Sequence, residues 1–517
     1  MVTSATHAPT SIRSTCPNII GFVDFGCAFA HPQFRRCLQD AGAGPETRVF
    51  ALWDQEGTPE GNRAGASGSG LRPPAWRTPE CFGYGAEVLR DWPPSDAEEG
   101  LRLGDFIAQY VKEGEVDQRR CYADSGYGAL NAATTHGTHV MDLAAGYPDP
   151  LLPPGKMPAP PPTDEDIVFV QLPRHFNGRQ TAGLLRAQVV DAIRYIFSRA
   201  ADHAAVTINL SYGSNAGPHD GSSLLERALD DAIEARRARG GSTDIVIPAG
   251  NSRNQDLHMR LEVGKDELQK IIWQNIPHNP TTQFIEIWLD TAGNPHDCQI
   301  RVSKPQEAWP AAQDGWIEVG QMARIEENNE LIAMVVAPER VCQSPNGRMI
   351  LVAVAPTGPL GNRAPAPYGD WTFEIRNTGT EPVTVNAWCE RDDPVFGSGG
   401  SPRQARFQHS NETGTLNSIA HGQQTVIVGG IVGMGLGGGE ASYSGQGPLR
   451  CFPTSRNLRS SVKGIAKARP DILAISDESP AEPGLAAAAV IGYGSRLSGT
   501  SMAAAVVTRM LVAEKRI

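Results

Sequence analysis

Nowhere in its 517 residues does the chain hold two cysteines spaced as CxxC. That removes zinc ribbons and thioredoxin-like redox motifs. Its nine cysteines are scattered, at positions 16, 27, 37, 81, 121, 298, 342, 389 and 451. An odd, dispersed set suits free thiols in a reducing compartment, so the expected location is cytoplasmic. No apolar run reaches the ~18–20 residues of a membrane-spanning helix, and residues 425–439, which come nearest, are full of glycine. The first twenty residues lack the basic and apolar regions of a signal peptide. There is no basic excess either: 46 Lys and Arg face 57 Asp and Glu, a net charge of −11. Neither nucleic acid nor a membrane is therefore an expected partner. No internal repeat is present.

What the chain has is glycine and proline in quantity, 55 and 40 residues, punctuating apolar runs. Residues 18–23 (NIIGFV) read as a buried strand ending on Asp24, with Gly26 two residues on. An acid at the C-terminal end of a parallel strand lies where α/β folds place their chemistry, although a turn-capping aspartate has the same pattern. Residues 49–53 suggest another strand, 55–80 a loop, and 98–113 an amphipathic helix with Leu101, Phe106, Ile107 and Tyr110 as its apolar set. Residues 135–146 (THGTHVMDLAAG) predict a helix through Val140, Leu143 and Ala144, closed by Gly146. His136 and His139 stand at its start. Without a third ligand nearby, HxxH points away from a metal site. A histidine at a helix start beside glycine suits an exposed imidazole acting as a base.

Strand and helix then alternate: strand 167–170, helix 181–200, strand 206–210 leading into Ser211-Tyr212-Gly213, and a helix capped by Ser223 and Glu226. Strand 244–247 ends in Pro248-Ala249-Gly250-Asn251. This alternation predicts an α/β fold, a doubly wound parallel sheet covered on both faces. After residue 258 the period becomes two. Residues 284–289, 349–354, 371–375 and 383–387 read as strands, so residues 258–415 predict an inserted all-β sandwich. Its Trp273, Trp288, Trp309, Trp316, Trp371 and Trp388 read as core rather than as a sugar platform. Strand 426–429 resumes the α/β pattern. Near the end lies Gly499-Thr500-Ser501, followed by Met502 and a run of alanines. Gly499 lets the backbone bend and the alanines start a helix, which puts Ser501 at a helix N-terminus. Exposed N–H groups and the dipole there favour a developing negative charge, as an attacking serine needs. The same string also caps ordinary helices.

Together these strings resemble the subtilisin-like serine proteases, the subtilase family. Asp24-Phe25-Gly26 with His31-Pro32 is similar to the family's aspartate motif. His136-Gly137-Thr138-His139-Val140 is similar to its histidine motif, Ala249-Gly250-Asn251 to its oxyanion motif, and residues 499–504 to its serine motif. Ser211-Tyr212-Gly213 resembles the segment lining its substrate cleft. Residues 443–448 and 469–472 resemble later markers. The resemblance implies a fold of subtilisin type and a serine endopeptidase acting through an acyl-enzyme. His136 would be the general base for Ser501. Asp24 would orient His136, Asn251 with the Ser501 N–H would receive the oxyanion, and Ser211, Tyr212 and Gly213 would pair with a protein or peptide substrate. The implied domains are 1–257 and 416–517 for the two parts of the catalytic domain and 258–415 for the insert. The long stretches between Asp24 and His136 and between Asn251 and Ser501 also resemble the spore-germination-type (Csp-like) subtilases, which carry a jelly-roll insert.

The chain departs from the family pattern at Phe25, where a small hydroxyl residue is usual, and at Ala505, where proline is usual. It also ends at Ile517, soon after Ser501, and no propeptide-like stretch precedes Asp24. The expectation is an intracellular enzyme that folds unaided, or one gated by an activating or inhibitory partner protein. No cofactor is expected. Calcium is common in the family, but no ligand set is assignable, and residues 164–166 (DED) read as solvated loop charge. Two further readings keep the same scaffold: a catalytically silent binding protein, and a dedicated peptide-maturation protease or transpeptidase. The insert is expected to pack or to gate substrate.

Overall fold

The computed structural model describes residues 12–36, 46–65, 70–92, 100–147, 165–173, 185–306, 315–339, 348–358, 364–392, 404–433, 439–448 and 469–515. Strand Asn18–Asp24 lies near the middle of a nine-stranded sheet, paired in parallel with Asp166–Gln171 on one side and Ala205–Leu210 on the other. The order runs Gly439–Glu440, Val426–Val432, Thr243–Pro248, Ala205–Leu210, Asn18–Asp24, Asp166–Gln171, Val49–Asp54, Ala86–Leu89, with Ile472–Asp477 parallel to Val426–Val432. The sheet is mixed rather than wholly parallel. Ala86–Leu89 and Gly439–Glu440 run antiparallel to their neighbours. Short antiparallel strands at the rim of a parallel sheet are a common variation in α/β folds.

Side chains alternate across the central strand and fill two different cores. Ile20 and Phe22 join the core under helices His136–Ala145 and Thr500–Glu514. Ile19 and Val23 join the core under helices Arg186–Arg199 and Leu224–Arg237. The sheet is thus doubly wound. By the same alternation Asp24 shares the face of Ile20 and Phe22, which carries the helices of His136 and Ser501. The helix before strand Thr243–Pro248 has the expected capping box: Glu226 N–H donates to Ser223 Oγ, and Ser223 N–H to the Glu226 carboxylate.

Three local expectations change. The 98–113 helix shrinks to Leu103–Ala108, and the chain turns into a hairpin, Val111–Lys112 with Glu115–Val116. Glu113 at φ 54° and Gly114 at φ 84° make that turn, a backbone no helix allows. Phe106, Ile107 and Tyr110 are nonetheless buried. The loop-like region 55–80 holds a short helix, Pro59–Gly65. The 181–200 helix begins at Arg186, and residues 181–184 lie outside the described residues.

From residue 258 to 407 the chain builds two antiparallel sheets. One has five strands, ordered Ile317–Glu318, Cys298–Ser303, Gly369–Asn377, Leu268–Asn275, Arg406–Phe407. The other has six, ordered Met322–Glu327, Glu330–Val336, Arg348–Val354, Gln283–Thr291, Val383–Cys389, His258–Val263. Trp273, Trp371, Phe373 and Ile375 of the first share one core with Ile285, Ile287, Val352 and Val385 of the second. That is a sandwich, built on the period-two pattern of these strands. Trp288 and Trp388 are buried, Trp316 is half-buried, and Trp309 lies outside the described residues. Among the described residues no helix is long and apolar enough to cross a membrane.

Candidate active site

Asp24 closes the central strand and is 1% exposed. Its Oδ1 accepts the Phe25 N–H at 2.6 Å, which fixes the carboxylate against its own backbone. His136 opens the helix above it. His136 Nδ1 lies 2.7 Å from Asp24 Oδ1 and 2.9 Å from Oδ2. A carboxylate only accepts, so Nδ1 carries the proton and Nε2 is left as the acceptor. The His136 side chain is 27% exposed, so its outer edge meets solvent.

The sequence around both residues serves this junction. Gly26 sits at φ 87°, and a Cβ there would fall 2.4 Å from Thr135 Cβ, so only glycine lets the Asp24 turn meet the helix start. Phe25 O accepts the Gly137 N–H at 2.7 Å, satisfying one free donor of the helix's first turn. Thr138 Oγ1 receives the Ala28 N–H at 3.1 Å. Phe25 contributes only backbone to this lock, and its ring packs against the opposite core.

Ser501 is the second residue of helix Thr500–Glu514. Its N–H is among the four that an α-helix leaves without an internal acceptor. Among the described residues no hydrogen bond joins Ser501 Oγ to His136. Thr500 fixes Asn251 instead. Thr500 N–H and Oγ1 both lie 2.9 Å from Asn251 Oδ1, and Thr500 Oγ1 accepts the Gly250 N–H at 3.1 Å. An N–H cannot accept, so the atom facing Thr500 must be the amide oxygen. The Asn251 NH2 is thereby left as a donor beside the serine turn. Gly499, at φ 139°, makes the close approach: a Cβ there would stand 2.9 Å from Asn251 Nδ2.

The helix behind Ser501 is held along its length. Met502 to Arg509 and Val512 are buried. Arg509 Nε donates to Leu143 O at 2.8 Å, and its Nη2 donates to Asp142 O at 3.2 Å and to Gly146 O. These are the last carbonyls of the His136 helix, where a cation is favoured. Arg509 therefore couples the Ser501 helix to the His136 helix. Lys515 anchors the far end on Asp244 at 2.6 Å and Thr207 at 2.8 Å.

Ser211, Tyr212 and Gly213 follow strand Ala205–Leu210 without regular structure. Ser211 Oγ donates to Asn209 Oδ1 at 2.7 Å, and the Tyr212 ring is buried in the core. Asn417 ties this segment to the turn at residues 248–251. Its N–H donates to Ala249 O at 2.7 Å and its Nδ2 to Pro248 O at 2.9 Å, while its side chain packs against Gly213 and Gly250. Sequence reasoning missed Asn417, Thr500 and Arg509. Thr500 stood inside the serine string. Nothing local marks the other two, because their partners lie far away in the chain.

Burial disfavours the His136 imidazolium, but the charge and hydrogen bond of Asp24 outweigh burial and the opposing charge of Arg391, and its pKa rises above 6.5. His139, one turn on, is a buried neutral imidazole. Its Nε2 lies 2.9 Å from Leu485 O, and burial takes its pKa down to about 4. His31 is similar, also at about 4 through burial, with Nε2 3.1 Å from Gly492 O and Nδ1 accepting the Gln33 N–H. Among the described residues no three His, Cys, Asp or Glu gather as metal ligands.

Residues 18–515 match the Subtilase family, peptidase S8. In fold the chain is similar to the Clostridium perfringens CspB protease, with a TM-score of 0.64 over 98% of this chain and 82% of that one, at 17% identity. The Bacillus licheniformis lipase BlEst2 in propeptide form aligns over 44% of this chain and 68% of that one at 6% identity, with a TM-score of only 0.17. A comparison with curated proteins returned no match.

Proposed function

The chain belongs to the subtilase family of serine proteases, and on that premise we propose that it is an endopeptidase working through Ser501, His136 and Asp24. One observation carries the reading: the Asp24 carboxylate brackets His136 Nδ1 at 2.7 and 2.9 Å. That contact fixes the tautomer and leaves Nε2 to take a proton. In the proposed reaction His136 Nε2 removes the Ser501 proton as Oγ attacks the peptide carbonyl. The oxyanion takes hydrogen bonds from the Asn251 NH2 and the Ser501 N–H. His136 then gives its proton to the departing amine, leaving an ester on Ser501. A water deprotonated by His136 hydrolyses the ester and restores Ser501. Asp24 stays ionised throughout and stabilises the imidazolium.

The substrate is a protein or peptide bound extended along Ser211, Tyr212 and Gly213. A reducing, cytoplasmic setting is part of the proposal. It is supported by the free thiols of Cys27, Cys81, Cys121, Cys298 and Cys389, all but Cys81 buried and pushed well up by desolvation. The test is hydrolysis of denatured casein by the purified chain. Activity is expected in the wild type and absent in Ser501→Ala and His136→Ala. Equal activity in wild type and Ser501→Ala contradicts the proposal.

A further inference from the structure

The catalytic part and the β insert meet along residues 214–219, and one insert side chain makes most of the polar contacts. Glu390 follows strand Val383–Cys389 and is 4% exposed. Its Oε2 accepts the Ser214 hydroxyl at 2.5 Å and the Ala216 N–H at 3.0 Å. Its Oε1 accepts the Asn215 N–H at 3.0 Å and the Arg391 N–H at 2.8 Å. Four donors fill the acceptor sites of an ionised carboxylate. Glu286, on the neighbouring strand, takes the next amide, Gly217 N–H, at 2.8 Å, together with Trp288 Nε1–H at 3.0 Å. Two carboxylates of the insert, buried Glu390 and half-buried Glu286, thus hold donors from four consecutive residues.

Asn215 extends the tie both ways. Its Nδ2 donates to Cys389 O at 3.2 Å, and its Oδ1 accepts the Ser252 hydroxyl at 3.3 Å, one residue from Asn251. His219 stacks on Trp388 with centroids 3.9 Å apart. Residues 211–213, immediately upstream, belong to no strand. Their position therefore depends on side-chain anchors: Ser211 on Asn209, the Tyr212 ring in the core, Asn417 against Gly213, and the Glu390 contacts just downstream.

We propose that Glu390 is a positioning residue of the peptidase reaction, setting the substrate-pairing segment 211–213 in register with the oxyanion side of the cleft. The insert is then a structural part of the substrate cleft. This rests on the reading of the site as a peptidase. A carboxylate is required because all four partners donate. Glutamine offers one acceptor oxygen and turns an NH2 group towards donors.

The test compares wild type, Glu390→Gln and Glu374→Gln. The last lies in the other sheet of the insert, where Glu374 pairs with Arg301 and Lys270. Glu390→Gln is expected to raise amide hydrogen exchange at residues 211–217, and to lower kcat/KM for an extended peptide, each by roughly tenfold or more. Fluorophosphonate labelling of Ser501 needs no extended substrate and is expected to stay within about threefold of wild type. Glu374→Gln is expected to match wild type in all three. Unchanged exchange at 211–217 in Glu390→Gln overturns the proposal. So does a parallel fall of labelling, kcat/KM and Tm, which marks a merely structural residue. Should Glu390→Gln not fold, Ser214→Ala removes one of the four donors and is expected to give the same pattern at smaller size, with wild-type exchange again overturning the proposal. A folded wild type that neither cleaves peptide nor labels contradicts the peptidase reading, while the exchange comparison still decides on Glu390.

Discussion

Thr500→Val removes one oxygen from a buried residue and keeps its shape. The hydroxyl accepts the Gly250 N–H at 3.1 Å and lies 2.9 Å from Asn251 Oδ1, at a position 1% exposed. Without it the Gly250 N–H loses its partner, at a cost of about 1–3 kcal/mol. Asn251 keeps only the Thr500 N–H to fix its amide. Removing an oxyanion donor outright costs ~10²–10³ in kcat. Thr500→Val leaves the donor present but poorly aimed, so kcat is expected to fall ~10–10², about 1.4–2.7 kcal/mol of transition-state stabilisation. KM is expected to hold within about threefold, since the oxyanion forms only in the transition state. Thr500→Ser restores the hydroxyl and is expected to recover most of the rate. The assay is steady-state hydrolysis of a fluorogenic peptide, with Tm alongside. A Thr500→Val enzyme with wild-type kcat refutes the role given to Thr500. A loss that Thr500→Ser does not rescue refutes it too.

Asp24→Asn is expected to cut kcat by ~10⁴, because an amide can hold the wrong imidazole tautomer. In the wild type the raised His136 pKa predicts that kcat/KM is lost as pH falls through a value above 6.5. The residual acid limb of Asp24→Asn should move to lower pH, and pH–rate profiles of both enzymes check this. His31, His139 and His258 are buried, each with a pKa lowered by desolvation to about 4. A depressed histidine pKa means that the unfolded chain binds more protons between pH 6.5 and 4. Stability is then full above 6.5 and falls through that window by roughly 3 kcal/mol per histidine. Three such losses approach the whole stability of an ordinary domain, about 5–15 kcal/mol, so Tm should drop steeply on acidification from pH 6.5. A flat Tm down to pH 4.5 contradicts this.

The candidate site could be drawn from the sequence because its residues sit inside short local strings. Asp24 ends an apolar run, His136 begins a helical period, and Asn251 follows a strand. Period two likewise marked the sandwich strands. The 98–113 helix misled because its apolar spacing survives folding while the helix ends at Ala108 and the chain enters a hairpin turned by the left-handed Glu113 and Gly114. Glu390 carried no signal at all. A glutamate after a strand reads as solvated charge until folding brings Ser214, Asn215 and Ala216 against it. Arg509 was hidden for the same reason, since the carbonyls it satisfies belong to a helix formed far earlier in the chain.

The central claim is that Ser501 is a nucleophile activated by His136. Its most direct test is intact-protein mass spectrometry after treatment with a fluorophosphonate, with peptide mapping of the adduct. One adduct, on Ser501, is predicted in the wild type, with labelling strongly slowed in His136→Ala and absent in Ser501→Ala. A folded wild type that takes no adduct, or takes it on another serine, contradicts the account.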